Sequence, residues 1–317
     1  VEQGTLYYER FVQHYPSVKE LAAAPEKKVI KLWEGLGYYA RCKNLHTTAK
    51  LIATEKKGIF PNTYEELLNL KGIGPYTAAA IASFAYNIPK AVIDGNVIRV
   101  LSRFFGITEP VDKTNTKKEM AILAQNCLDV KDPASYNQAI MDFGATICKP
   151  VNPLCTVCDF QKFCYASDQG VVNHLPYFEK KLKKKSRWIA FFIITHKNKI
   201  AVHKRSTGDI WAGLYDFPSV SFTSKSGLDN FLTKLSPDNI TGVFNIKTKN
   251  IRNITISELN YMQQLTHQKI SAATISINID APETISPNTK WISINKIETY
   301  PFPRIIRDII ERELKSF

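Results

Sequence analysis

This sequence predicts a multidomain fold, an all-α first half followed by an α+β second half, and three observations predict it. Up to about residue 168, apolar residues such as Leu21, Val29, Leu32, Leu51 and Ile52 recur at spacings compatible with a 3.6-residue period, with little β patterning. From about residue 188, runs rich in β-branched residues take over. Between them "FEKKLKKKSR", residues 178–187, is a basic stretch that reads as a solvated tether or as a phosphate contact. The chain therefore divides into a helical domain over 1–168, a linker over 169–187 and an α+β domain over 188–317.

The elements follow in order. Pro16 and Pro25 sit where one helix should stop and the next begin. "LKGIGPYTAAAIASFA", residues 70–85, sets two glycines around one apolar residue and then opens a helix on Pro75. Gly72 and Gly74 permit positive φ and close backbone approach. The helix after them starts with free N–H groups, a ready place for phosphate. Helix, G-x-G hairpin, helix is the helix-hairpin-helix arrangement, which grips a DNA strand by its backbone without reading sequence. In "VIDGNVIRVLSRFF", Asp94 stands in a helix-cap position before a stripe of Val97, Val100, Leu101 and Phe104. "YNQAIMDFGATIC" is a further apolar-faced helix. In the second half "RWIAFFIITHKNKIAVHKR" reads as two strands around a tight turn at Lys197 and Asn198. "NITGVFNIKT", "ISAATISINI" and "TKWISI" read as strands, and "GLDNFLTKL" and "FPRIIRDIIEREL" as helices.

Charge and cysteines narrow the function. Lys and Arg number 42 against 29 Asp and Glu, a net +13, which favours a polyanionic partner, most often nucleic acid. No apolar run is long enough to span a membrane, and no strongly basic amphipathic helix suggests a membrane surface. Four of the six cysteines crowd into residues 148–164 as Cys148-x6-Cys155-x2-Cys158-x5-Cys164. Without a secretory signal, metal ligation outweighs disulfides. One wrapped loop can offer four thiolates to a cubane iron-sulfur cluster. Zinc sites more often use two separated C-x2-C knuckles, and from spacing alone the two metals stay open. Cys42 and Cys127 read as plain thiols.

Together these strings resemble the endonuclease III superfamily of DNA glycosylases. "LWEGLGYYARCKNLH", "GIGPYTAAAI", "IDGNVIRVL" and "NQAIMDFGATIC" resemble its MutY adenine glycosylases over nearly all of residues 1–168. The resemblance implies a helix-hairpin-helix glycosylase domain whose cysteines hold a four-iron–four-sulfur cluster, with Lys149 and Lys162 of the cluster loop offered to DNA. It implies that Asp94 stabilises an oxocarbenium-like sugar, that Asn96 orients this site, and that Asp142 lies near the adenine pocket. Tyr38 would wedge into the base stack. Tyr76 fills the slot where bifunctional relatives carry an amine nucleophile, so water is the expected attacker. Residues 188–317 resemble the family's MutT/Nudix-like domain, with "WAGLYDFPSV" matching its strand-turn motif. The acidic Mg²⁺-binding helix of pyrophosphatases is absent. Leu265, Thr266 and His267 match the loop that reads 8-oxoguanine, with Leu265 as an aliphatic wedge. The implied partner is duplex DNA with 8-oxoguanine:adenine or guanine:adenine mispairs. The implied setting is a monomer in the bacterial cytoplasm, on nucleoid DNA.

One departure counts against activity. The family's general acid, a glutamate, falls in a segment before the stretch matching Val1, and Glu2 lies too late to replace it. The chain opens on Val1 rather than Met, so an upstream segment is expected and this chain alone is expected to be weak or inactive. A pyrimidine-type glycosylase of the same superfamily and a lesion-binding protein without catalysis are the competing readings.

Overall fold

The computed structural model describes residues 2–180, 184–206, 208–257 and 260–314, with the backbone alone at Glu2 and Gln3. The chain forms two compact units: residues 1–55 with 182–317, and residues 56–181. This spatial division cuts across the contiguous domains expected from composition, because the first four helices share a core with the sheet.

In the first unit, α1 (Glu2–His14), α2 (Val18–Ala23), α3 (Glu26–Leu32) and α4 (Tyr39–Thr54) are punctuated as the prolines foretell. Ser17 caps α2 through a reciprocal box with Glu20, and Pro25 occupies the cap of α3. The second unit holds α5 (Tyr64–Leu68), α6 (Pro75–Tyr86), α7 (Gly95–Phe105), α8 (Thr114–Cys127), α9 (Pro133–Thr146) and α10 (Tyr165–Asp168). Its core gathers Val97 and Leu101 of α7 with Val111, Met120 and Ala124.

The chain then returns to the first unit with β1 (Lys185–His196), β2 (Lys199–Lys204), β3 (Tyr215–Asp216) and β4 (Ser219–Phe222). After α11 (Lys225–Thr233) and α12 (Pro237–Val243) come β5 (Ile251–Ile256), β6 (Tyr261–Gln264), β7 (Gln268–Ile279) and β8 (Thr289–Ser293). α13 (Arg304–Ile309) runs on into one π turn, Ile310–Leu314. β1 and β7 pair in parallel from Lys185↔Gln268 to Thr195↔Asn278 and form the centre. β2 and β4 flank β1, β5 and β6 flank β7, and β3 and β8 extend from β2, all antiparallel.

Both faces of β1 are buried, as expected of a central parallel strand. Ile189, Phe191 and Ile193 face one core, which also takes Leu21, Val29, Ile30 and Cys42 of the first helices and Ile305 and Ile306 of α13. Ala190, Phe192 and Ile194 face a second core under α11 and α12, with Leu228 and Ile240. Each fully buried phenylalanine contributes about 1.5–3 kcal/mol. Cys42, read as a plain thiol, is a free thiol buried in this core.

Two further expectations are corrected. "NITGVFNIKT" is not a strand: Ser236 caps and Pro237 opens α12, which buries Ile240, and Phe244 packs just after it. The strand comes later, as β5. Nor is the stretch 178–187 only a solvated tether over the part described: residues 178–180 are exposed yet anchored. Val111 N–H donates to the Tyr177 carbonyl, and Asp112 accepts the N–H groups of Glu179 and Lys180 at 3.0 and 3.1 Å. Residues 181–183 of that linker lie outside the described residues, and β1 starts three residues before the expected boundary.

Burial pushes the Cys42 thiol up to about 12 and, chiefly by the same desolvation, the Tyr39 hydroxyl to about 12. Folded values above the unfolded ones mean stability that is fully present below pH 9 and is lost as pH rises through 12. Chemical unfolding of the wild type across pH 8–11 should show this loss, and Cys42→Ala should flatten it. An equal slope in both proteins contradicts the assignment.

Candidate functional site

The glycine hairpin sits between α5 and α6. Gly72 adopts φ 84°, the left-handed region that favours glycine. Gly74 does not share it: it caps α6 with φ −91° and ψ 178°. Its conformation does not require glycine, and a Cβ there would meet nothing within 4 Å, so the backbone at Gly74 faces open space. No side chain caps α6, so its first N–H groups stay open to an outside acceptor. Tyr76 is about half exposed and lines a cavity of about 440 Å³ with Tyr64, Lys90, Ile93 and Gln125. Asp94 is not part of that lining.

Asp94 is the cap of α7, as its position foretells. One carboxylate oxygen accepts the N–H groups of Asn96 and Val97, both at 2.8 Å. The other accepts the Asn96 side-chain amide at 2.8 Å. The orientation of that amide is set by Arg99, which can only donate: its Nη2 reaches the Asn96 Oδ1 at 2.9 Å, leaving the NH₂ for Asp94. Arg99 also donates to the carbonyls of Cys148 and Gly144, at 2.7 and 2.6 Å. Burial, the largest influence, draws the Arg99 guanidinium below its ordinary value, while Cys148 and Asp94 oppose it.

One turn along α7, Arg103 is 3% exposed. It donates to the Cys148 sulfur at 3.4 Å, to the Lys149 carbonyl at 2.8 Å and to the Leu175 carbonyl at 3.0 Å. Cys148, Cys155, Cys158 and Cys164, all half-buried, line a cavity of about 460 Å³ beneath Phe104, Phe143 and Phe160. Burial raises the Cys155 thiol first, and each of the other three sulfurs raises it further, so the four act on one another. Among the described residues no three His, Cys, Asp or Glu side chains close on a point as a single ion requires. Four cysteine sulfurs lining one cavity are soft donors in the number that an iron-sulfur cluster requires.

The structure thus brings Asp94 and Asn96 together and gathers the four cysteines. Lys149 is half-buried and Lys162 exposed on the cysteine loop, and Asp142 is exposed on α9, where Gln138 donates to it at 2.9 Å. The first unit holds the remaining candidates. Tyr38, 70% exposed, is a non-glycine residue at φ 48°. The turn that presents it contains Gly35 and Gly37 at positive φ and is pinned by Trp33 Nε1 donating to the Gly37 carbonyl at 2.9 Å. Holding Tyr38 there costs about 1–3 kcal/mol. Thr266 and His267 are exposed in the turn between β6 and β7, closed by Leu265 N–H to the Gln268 carbonyl at 2.8 Å. Leu265 packs against the first core instead of projecting as a wedge.

Four positioning residues escaped the sequence reading. Arg99 and Arg103 leave one signal, two arginines four apart on a helix of mostly apolar residues. Asn137, 1% exposed, accepts from Val92 N–H at 2.9 Å and donates to Ser83 and the Lys90 carbonyl, fixing the segment that enters Asp94. At Gly144 a Cβ would fall 2.7 Å from that of Asn96.

Residues 1–126 match the family described as HhH-GPD superfamily base excision DNA repair protein, and residues 189–312 match the NUDIX domain. A protein of Buchnera aphidicola subsp. Baizongia pistaciae, named adenine DNA glycosylase, is 30% identical over 98% of this chain and 84% of its own length. One of the same name from Buchnera aphidicola subsp. Acyrthosiphon pisum is 34% identical over 69% of this chain, which spans 62% of that relative. A solved thermostable thymine-DNA glycosylase aligns with 52% of this chain and 76% of its own, at 27% identity and a TM-score of 0.48.

Gly144→Ala should gain about 1 kcal/mol of helix propensity and lose about 1–3 kcal/mol to overpacking against Asn96. Net destabilisation in urea is expected, larger than for Ala145→Ser at the exposed neighbour. A variant as stable as wild type contradicts the close packing.

Proposed function

The chain belongs to the MutY-type adenine DNA glycosylases, and we propose that it excises adenine opposite 8-oxoguanine or guanine in duplex DNA. The observation that carries this reading is the Asp94 carboxylate, held by the first N–H groups of α7 and by an amide whose orientation Arg99 dictates.

In this reading the hairpin and the open N–H groups of α6 hold the strand by its phosphates while the adenine nucleotide leaves the stack. Tyr38 fills the space beside the lesion. The bond from C1′ to adenine breaks with protonation of the base, and the sugar becomes oxocarbenium-like. Asp94, its lone pairs turned by fixed donors, supplies negative charge to that sugar without reorganising. Water then adds to C1′ and loses a proton. Tyr76 offers no amine, so the products are free adenine and an abasic site with the strand intact.

The domain assignment is part of the same proposal: glycosylase over 1–168, lesion reader over 188–317, with Thr266 and His267 offering a hydroxyl and an imidazole to the oxidised base. The four cysteines fit a four-iron–four-sulfur cluster, which would stiffen their loop and hold Lys149 and Lys162 for phosphate contact.

Asp94→Asn is the decisive variant. Asparagine is as good a helix cap, and its carbonyl oxygen still accepts from α7, so the fold is kept; what is lost is the charge and the bond from the Asn96 amide, which meets an NH₂ in place of the second oxygen. Adenine release from 8-oxoguanine:adenine duplexes should fall about 10²–10³-fold, with duplex affinity nearly unchanged. Undiminished release reduces Asp94 to a cap. Purified protein should be brown with about four irons per chain, and Cys155→Ala should lose the colour. Colourless protein with one tightly bound zinc sinks the cluster.

A further inference from the structure

In the first unit three separate segments bring two ammonium groups and two tyrosine rings together. The Lys27 ammonium, on α3, lies 3.2 Å from the centroid of the Tyr300 ring. Lys290, on β8, lies 4.6 Å from that centroid and 4.6 Å from the centroid of Tyr215. The rings meet edge to face at 4.9 Å. The two ammoniums are thus at most 7.8 Å apart, the sum of their distances to the shared Tyr300 centroid.

Their charge is unanswered. The neighbouring Lys31 is paired with Glu34 at 2.5 Å, but among the described residues no carboxylate pairs with Lys27 or Lys290. Cation–π contact offsets part of their repulsion and holds them in place, where free lysines would swing apart into water. Burial and then the charge of Lys290 draw the Lys27 ammonium below its ordinary value. Lys290 donates to the Tyr215 hydroxyl at 3.1 Å, so that oxygen is the acceptor there and its own proton remains to be given.

We propose that Lys27, Lys290 and the Tyr215 hydroxyl form a phosphate-binding subsite, additional to the glycine hairpin and the cysteine loop. A phosphate group suits it because its separate oxygens each take charge-assisted bonds of about 2.7–2.9 Å and can accept from two ammoniums and a third donor at once. The phosphate belongs either to the DNA backbone or to a free phosphate ion, and two measurements on the full chain separate these sources.

The first titrates an undamaged duplex over a salt series with wild type, Lys27→Gln, Lys290→Gln and the charge-keeping Lys27→Arg and Lys290→Arg. A backbone contact predicts that each glutamine variant weakens binding and lowers the slope of log Kobs against log salt by about 0.9, while the arginine variants keep it. The second compares melting in sodium phosphate and in sodium chloride at matched pH and ionic strength. A free-phosphate site predicts a phosphate-specific rise in Tm for wild type that disappears in the double glutamine variant. A change in the first measurement alone assigns the site to DNA, in the second alone to the free ion, and in both to a DNA site that also takes the ion. Glutamine variants that behave as wild type in both overturn the proposal and leave the lysines as packing. The arginine variants guard against misfolding: a loss they share with the glutamine variants counts against a charge-based site.

Discussion

Two arginines one turn apart on α7 are the constraint on which the second unit's chemistry depends. Arg99 binds the Asn96 amide, and through it the Asp94 carboxylate, and also the Cys148 carbonyl. Arg103 binds the Cys148 sulfur, the loop carbonyls and the segment leaving this unit at Leu175. A guanidinium is rigid and donates in fixed directions, so each sets its acceptors relative to one helix axis. Buried charges are tolerated here because carbonyls and a sulfur answer their donors. Asp94 and the cysteine loop, far apart in sequence, thereby share one ruler. Gly144 lets α9 come close enough to complete it.

Much of this was legible in the sequence because it is local. Prolines and a serine mark the ends of α1–α3, Lys197 and Asn198 make the turn between β1 and β2, and Asp94 caps the helix it precedes. The cysteine spacing foretells that four sulfurs gather at one cavity, and the resemblance is what favours iron-sulfur over zinc. What was not legible depends on partners distant in the chain. The β-branched residues of "NITGVFNIKT" suggest a strand, but Pro237 and the burial of Ile240 select a helix. Arg99 and Arg103 look like surface charges until the carbonyls that receive them are known. Leu265 reads as a projecting wedge until the core beneath it is seen.

Glycine and tyrosine divide the labour of strain. Gly72 turns the hairpin at no steric cost, and Gly74 faces open space at the start of α6. Tyr38 holds a conformation that glycine would hold more easily. Its exposed ring, with the Arg41 guanidinium 5.5 Å from its centroid, is what the strain preserves. The surrounding turn fixes it through Trp33 and through Tyr7, whose hydroxyl donates to the Glu34 carbonyl at 2.7 Å.

The shared core of the first unit has a consequence for the order in which the chain is made. Residues 56–181 form a continuous stretch and have every partner of their own core in hand once Lys181 is translated. The four helices before them do not. Leu21, Val29, Ile30 and Cys42 are completed by Ile189, Phe191 and Ile305, well over a hundred residues later. On the ribosome the middle of the chain is therefore ready to settle first, while the opening helices hold an apolar side without its partner until β1 and finally α13 emerge. Closing that gap is a contact of long sequence separation, the kind that forms slowly and leaves apolar surface uncovered meanwhile.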